Sequence, residues 1–144
     1  MKALKLPCYC GSIRQASRVV TQMYDKALKP SGLKITQFSI LRLLKHFPGL
    51  TTGEMADALV MDSTTLTRTL KIIHNSNWIE SAAGEDRRER HWSLTAEGRA
   101  RLQAAEPLWK SAQKEFADMM RDIDLDELTQ SVYQLVQKSV EAVA

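Results

Sequence analysis

The clearest pattern of apolar and polar positions lies between residues 62 and 98. At about 100° per residue, Leu66, Leu70 and Ile73 fall on one side of a helix over Ser63–Asn75. The opposite side carries short hydroxyls, an amide and two cations: Thr64, Arg68, Lys71 and Asn75. No carboxylate occurs from Ser63 to Asn77. Because solvated helix faces normally mix both charge signs, this acid-free face indicates a helix that binds a polyanion such as DNA.

A short hairpin is predicted directly after this helix. Residues 78–81 form one strand, residues 91–94 form its return, and the polar loop 82–90 has Gly84 available for a turn. A helix-turn-helix followed by a two-stranded hairpin is a winged helix. In that arrangement the second helix enters the DNA major groove, and an arginine at the wing tip reaches a minor groove.

The rest of the chain is predicted to be helical, so the fold class is mainly α with a small β-wing. Helix one should end near Lys29, at the turn formed by residues 30–32. Helix two is expected to be capped by Thr36, helix three by Thr51 with Glu54, and helix four by Asp62 or Ser63. Helix five is expected to be capped by Thr95, and helix six by Asp124 with Glu127. Helix five should reach about Arg121 with a kink at Pro107. Helix six has a broad apolar face: Leu125, Leu128, Val132, Leu135, Val136, Val140 and Val143.

The predicted wing also contains a motif in fixed register. The motif has the pattern D-x-R-x5-L-T-x-x-G. It begins with Asp86-Arg87-Arg88, continues through the five residues 89–93 and ends with residues 94–98. This pattern resembles the signature of the MarR family of bacterial winged helix-turn-helix transcriptional regulators. Residues 50–59 and 64–70 resemble that family's two helix-turn-helix helices, and the likeness covers essentially the whole chain. One departure is Asn77, where the family usually has glycine, but asparagine also tolerates a left-handed helix terminus.

The resemblance implies an organisation and a mode of action. Residues 1–144 form a single MarR-like domain, with a DNA-binding lobe at 36–95 and dimerisation helices at 1–34 and 96–144. A homodimer would place two recognition helices about one DNA turn apart on a palindromic operator in double-stranded DNA. Repression is the family's commoner mode. The other interpretation of helix six is that it folds back on its own subunit.

The DNA-contacting residues are expected on the recognition helix, the preceding helix N-terminus and the wing. They are Thr52, Ser63, Thr64, Thr65, Thr67, Arg68, Lys71, Asp86, Arg87, Arg88 and Arg90. Arg68 is the candidate for reading guanine, while hydroxyls and lysine mostly contact phosphates. By resemblance, Arg88 enters the minor groove and Asp86 orients it, although the doubled arginine leaves the choice between Arg87 and Arg88 open. For any one of these residues the alternative is a solvated surface charge.

Cys8 and Cys10, the chain's two cysteines, are predicted just before helix one. Their spacing is too tight for an unstrained structural disulfide between them. Three interpretations remain open: small, partly buried structural residues, a thiol switch, or capture of a soft metalloid such as arsenite. Some members of the family sense peroxides through a cysteine in the first helix. Two thiolates are too few for a zinc site, so Cys8 and Cys10 are candidate ligands for a soft metal or metalloid only, and no cofactor is expected.

A small-molecule effector is the other candidate signal, because many family members bind aromatic anions between the dimer helices and the DNA-binding lobe. Candidate lining residues are Met23, Tyr24, Phe38, Trp109 and Phe116. Aromatic residues at helical spacing more often form plain core. His46, His74 and His91 are scattered and are expected to be structural or solvent-facing.

Composition limits the remaining function classes. A net charge of +3 is only mildly basic, so the case for DNA rests on how the charge is distributed. No apolar run approaches the length of a membrane span or of a signal peptide, so no membrane partner and a cytoplasmic location are expected. No nucleophile–base set or phosphate loop points to an enzyme. The alternatives to a DNA-binding regulator are a cysteine-based redox or metalloid-binding protein and a winged-helix protein-interaction module.

Overall fold

A computed structural model describes residues 3–86 and 89–144 of the chain. Within them lie six α-helices, one 3₁₀ turn and three strands. In chain order these are α1 (Tyr9–Leu28), the 3₁₀ turn (Lys29–Ser31), α2 (Ile35–His46), β1 (Leu50–Thr51), α3 (Thr52–Leu59), α4 (Ser63–Asn75), β2 (Ile79–Ala83), β3 (Arg90–Leu94), α5 (Ala96–Met119) and α6 (Leu125–Val143). This confirms the mainly helical winged helix-turn-helix fold expected from the sequence.

The chain divides into two compact units, residues 1–109 and residues 110–144. The first unit contains α1 to α4, the three strands and most of α5. The second contains the end of α5 and all of α6. The functional division into a DNA-binding lobe at 36–95 and dimerisation helices at 1–34 and 96–144 stays a prediction.

The core of the first unit is built on α2 and α4. The inward positions of both helices were predicted correctly: Phe38, Leu41 and Leu44 on α2, and Leu66, Leu70 and Ile73 on α4, are each at most 1% exposed. Met55 of α3, Ile79 of β2 and Leu102 of α5 complete the same buried cluster. Packing these apolar stripes together fixes which face of α4 is turned to solvent.

The wing is a three-stranded antiparallel sheet in the order β1-β3-β2. Leu50 pairs with Trp92, and Ile79 pairs with Leu94. The prediction of a two-stranded hairpin was therefore incomplete, because β1 has two residues and is too short to show an alternating pattern. The hairpin strands are also longer than predicted, since β2 continues to Ala83 and β3 begins at Arg90.

Most predicted helix caps are present. Thr51 Oγ1 accepts the Glu54 N–H, and the Glu54 carboxylate accepts the Thr51 N–H, which confirms the capping box of α3. Asp62 caps α4, Thr95 Oγ1 accepts the Gly98 N–H at the start of α5, and Asp124 Oδ1 accepts the Glu127 N–H in α6.

The cap predicted for α2 was wrong. Thr36 lies inside the helix, which begins at Ile35. The Ile35 N–H donates to Asp25 Oδ1 at 2.7 Å, and the Lys34 N–H donates to Gln37 Oε1 at 2.9 Å. The carboxylate that satisfies this helix start belongs to α1, so the local sequence around Thr36 does not reveal it.

The other predicted boundaries hold within a residue or two. α1 ends at Leu28 and the 3₁₀ turn follows, while α5 ends at Met119 rather than near Arg121. Asn77 adopts the left-handed conformation expected of it, with φ 60°. It therefore takes the role of the glycine that the family usually has at this point.

The second unit has an apolar surface that its own residues leave uncovered. None of the nineteen residues of α6 is buried. The most exposed apolar side chains of this helix are Leu128, Val132, Tyr133, Leu135, Val140 and Val143. Among residues 3–86 and 89–144, no helix is long and apolar enough to cross a membrane.

Candidate nucleic-acid interface

The outward face of α4 presents hydroxyls and cations to solvent. Ser63, Thr64, Thr67, Arg68 and Lys71 are all exposed and line one shallow concavity of about 410 Å³. The predicted contact residue Thr65 is exposed as well, and its N–H donates to Asp62 Oδ1 at 2.8 Å. The structure therefore brings five of the six predicted recognition-helix residues together on one accessible surface, and Thr65 lies outside the concavity.

The start of α4 is held by Asp62. Hydrogen bonds from the side chain and backbone of Thr65 lower the pKa of the Asp62 carboxyl below its ordinary value. The carboxylate therefore stays ionised and keeps accepting the Thr65 N–H, which caps the first turn of the helix.

The N-terminus of α3 adjoins the wing through a side-chain hydrogen bond. Trp92 Nε1 of β3 donates to Thr52 Oγ1 at 2.9 Å. Thr52, a predicted DNA contact, keeps its hydroxyl proton available for an incoming acceptor. Hydrogen bonds from the backbone and side chain of Thr51 lower the pKa of Glu54, which keeps the capping carboxylate of α3 ionised.

The wing carries two predicted contacts that the structure describes, Asp86 and Arg90. Arg90 Nη1 donates to Ser81 Oγ at 3.0 Å across the two hairpin strands, which holds this guanidinium against the neighbouring strand β2. Asp86 is exposed in the loop, and its carbonyl accepts the Glu89 N–H at 2.9 Å. Arg87 and Arg88 lie outside the described residues, so their roles stay predictions.

A cleft separates α4 from the wing, and sequence reasoning missed part of it. This cleft, called here the wing cleft, has a volume of about 260 Å³ and is lined by Thr52, Thr67, Leu70, Lys71, His74, Ser81, Arg90 and Trp92. His74 and Trp92 were not among the predicted contacts. Thr67, Lys71 and His74 are spaced by four and then three residues, which places them on one helix face. This spacing was the signal in the sequence that could have identified His74.

The two cysteines lie at the start of α1. Cys8 is the N-cap, and its Sγ accepts the Gly11 N–H at 3.5 Å, whereas Cys10 lies within the first turn of the helix. The prediction that both precede the helix was therefore wrong for Cys10. Both thiols are exposed. In the part of the chain that the structure describes, no group of three or more His, Cys, Asp or Glu side chains is arranged to hold a metal ion.

The aromatic residues proposed for an effector pocket include core residues. Phe38 is buried and stacks on Trp109 with ring centroids 5.7 Å apart. The Arg42 guanidinium lies over the Trp109 ring at 4.2 Å from the centroid. Tyr24 is also buried, which raises the pKa of its phenol. These contacts favour the core interpretation for Phe38 and Tyr24.

A recognition helix with an acid-free outer face, a capped preceding helix and an antiparallel wing define a winged helix-turn-helix protein. Comparisons with known proteins agree. Residues 33–89 match the model of the MarR family. The chain is 29% identical over 112 residues to the uncharacterised HTH-type transcriptional regulator YwoH of Bacillus subtilis, an alignment that spans 78% of this chain and 82% of YwoH.

Solved structures give the same assignment. The M. tuberculosis transcriptional regulator MosR, in complex with DNA, is 36% identical, with a TM-score of 0.84 over 94% of this chain and 98% of MosR. The repressor CouR, bound to a DNA duplex, shares the fold at 22% identity, with a TM-score of 0.81 over 94% of this chain and 99% of CouR. The chain belongs to the MarR family of transcriptional regulators.

Proposed function

We propose that this protein is a homodimeric transcriptional repressor that binds a palindromic operator in double-stranded DNA and is released by a chemical signal. The observation that carries the proposal is the outer face of α4, where hydroxyls and two cations are exposed without an acidic residue. MosR and CouR, which share this fold, have each been solved with DNA. We propose no enzymatic activity.

The proposed DNA contacts combine exposed side chains of α4 with wing residues whose roles the family resemblance implies. Arg68 and Lys71 project from α4 with Thr64 and Thr67, so Arg68 reads a guanine edge and the others contact phosphates and neighbouring bases. Ser63, Thr65 and Thr52 contribute hydroxyls near the helix N-termini, and Arg87 and Arg90 contact the backbone. Arg88 enters the minor groove, with Asp86 orienting it.

A second copy of the chain is proposed to cover the apolar face of α6. Val132 is 52% exposed and Leu135 is 44% exposed. α1 also exposes Tyr9, Ile13 and Val19. Burying such stripes across a two-fold axis is the common way to stabilise terminal helices, and it pairs two recognition helices for a palindromic site.

The signal is proposed to be an oxidant, a soft metalloid or a small molecule. The exposed thiols of Cys8 and Cys10 suit the first two. A peroxide would take two electrons and two protons from two thiols, one on each subunit of the proposed dimer, forming an intersubunit disulfide and leaving water and an alcohol or a second water. Arsenite would instead exchange two oxygen ligands for two sulfurs and release water. Either change would alter the start of α1, where Cys8 is the N-cap.

The test of DNA binding is fluorescence anisotropy of the duplex upstream of the protein's own gene, at several salt concentrations. The affinity should fall steeply with salt because phosphate contacts release counterions. Arg68→Ala should lower the affinity about tenfold to a hundredfold, the range of one good base contact. Arg121→Ala removes an exposed arginine beyond α5 and serves as the charge-matched control. Equal affinity in the two variants would contradict the role of Arg68.

A further inference from the structure

The wing cleft contains a titratable residue that the DNA contacts above do not include. His74, in the last turn of α4, packs edge-to-face against Trp92 with ring centroids 5.8 Å apart and an interplanar angle of 79°. Its imidazole is exposed and makes no hydrogen bond to any residue that the structure describes. The ring is therefore held in place while its nitrogens stay available to a ligand.

The cleft around His74 has the chemistry of an anion site. Lys71 faces it from the same helix and Arg90 from β3, while β2 contributes the Ser81 hydroxyl and α3 the Thr52 hydroxyl. Among the described residues, no carboxylate lines the cleft. Two hydrogen bonds fix groups of the cleft: Arg90 Nη1 donates to Ser81 Oγ, and Trp92 Nε1 donates to Thr52 Oγ1. Donors that converge without an acid suit a phosphodiester.

His74 adds an imidazole ring to the cations and hydroxyls of the cleft. Imidazole is the side chain that ordinarily changes charge between about pH 5 and pH 8. A protonated His74 would add a third cation and a second ring donor to the cleft, and a phosphodiester placed there favours that form. His91, the histidine of strand β3, takes no part, because its Nδ1 lies 2.8 Å from the Gly49 carbonyl oxygen and it does not line the cleft.

We propose that the wing cleft binds a phosphodiester of the DNA backbone and that His74 couples this contact to proton uptake. The inference rests on the proposed DNA-binding function and deepens it. DNA affinity should rise as the pH falls from about 8 to about 6, by about tenfold for each cleft, which is the usual gain from one charge-assisted hydrogen bond. The salt dependence should steepen over the same interval, by about 0.9 in logarithmic slope per cleft.

The experiment compares fixed charge states of residue 74. Anisotropy of the promoter duplex, and of a duplex of arbitrary sequence, is measured from about pH 6 to about pH 8. The DNA affinity of His74→Gln should equal, at every pH, the affinity of the wild type at high pH. The affinity of His74→Lys should equal, at every pH, the affinity of the wild type at low pH. His46→Gln removes an exposed histidine on α2 and should keep the wild-type dependence. A wild-type pH dependence retained in His74→Gln would overturn the proposal.

Two further arms separate the other outcomes. Inorganic phosphate and chloride are compared at matched ionic strength, and displacement of DNA by phosphate alone, lost in His74→Gln, would make the cleft a free-anion site and overturn the proposal. NMR of the His74 imidazole should show protonation at higher pH with DNA than without it, a readout that needs no variant. Absence of binding to either duplex at every pH would contradict the proposed function itself, whereas pH-independent binding by the wild type contradicts only this inference.

Discussion

Gly98, in the first turn of α5, lies against the carbonyl oxygen of Trp78, the residue before strand β2. A β-carbon built on Gly98 would overlap that oxygen and crowd the carbonyl carbon behind it. The neighbouring Thr95 joins the same two elements, because its N–H donates to the Trp78 carbonyl and its hydroxyl to the Asn77 carbonyl. The Thr and Gly of the family motif therefore have a structural role, which is to dock the start of α5 against the base of the wing.

Gly98→Ala should destabilise the protein, because the added methyl meets backbone that cannot move without shifting β2. Overpacking of this kind reduces the free energy of unfolding by about 1–3 kcal/mol. Urea unfolding followed by circular dichroism measures the change. Gly53→Ala, a substitution in α3 with no atom within 4 Å of the new β-carbon, should leave stability unchanged or raise it. Equal destabilisation in both variants would contradict the docking role.

The sequence revealed the features whose causes are local. The buried stripe of α4 follows from the helical period of Leu66, Leu70 and Ile73, and its outer face follows from the residues between them. The caps at Thr51 and Asp62 depend on groups two or three positions away. Each could be predicted because the interacting atoms are close in the chain.

The features that were missed depend on contacts between distant segments. β1 is a strand only because Leu50 pairs with Trp92, and α2 begins where it does because Asp25 accepts the Ile35 N–H. The wing cleft likewise brings His74 together with Arg90, which lies sixteen residues further along the chain. No local pattern contains these pairings.

The cap at Asp62 makes stability depend on pH in the acid range. Its pKa is lowered in the folded state, so the stabilisation is fully present above the unfolded-state pKa and is lost as the pH falls through the folded-state pKa. Asp62→Asn keeps a capping residue but removes this titration. Urea midpoints measured from neutral pH down to acid should therefore fall less steeply for Asp62→Asn than for the wild type. Parallel curves for the two proteins would show that the cap makes no contribution.

Val132→Glu should weaken the proposed homodimer. Val132 lies at the centre of the exposed apolar face of α6, so a second copy would have to bury an unpaired carboxylate. Burial of one such side chain contributes about 1.5–3 kcal/mol, and the two-fold axis repeats it, so dissociation should become at least about a hundredfold easier. Sedimentation velocity over a range of concentrations measures this. Gln134→Glu, on the opposite face of the same helix, is the matched control and should leave the dimer intact.

The doubled arginine of the wing can be resolved by comparing two substitutions. Arg88→Ala should weaken DNA binding strongly, by about a hundredfold, because a minor-groove arginine is inserted where the negative potential is concentrated. Arg87→Ala should weaken it less, as the loss of one backbone contact. Anisotropy gives both affinities, and circular dichroism should show an unchanged fold. If Arg87→Ala has the larger effect, the roles of the two residues are reversed. If neither substitution lowers the affinity at physiological salt, the wing does not contact DNA.

The thiol pair at the start of α1 gives the last prediction. The reduced protein on its promoter duplex should release DNA on addition of a peroxide or of arsenite, because either reagent links two thiols and the N-cap sulfur of Cys8 can no longer accept the Gly11 N–H unchanged. The double variant Cys8→Ser, Cys10→Ser should bind the duplex as the reduced wild type does, since serine is a good N-cap, but should not respond to either reagent. Dithiothreitol should restore binding after peroxide treatment if a disulfide has formed. If the wild type and the double variant release the duplex equally, the reactive group is not Cys8 or Cys10. If neither reagent changes DNA binding by the wild type, a small molecule is left as the proposed signal.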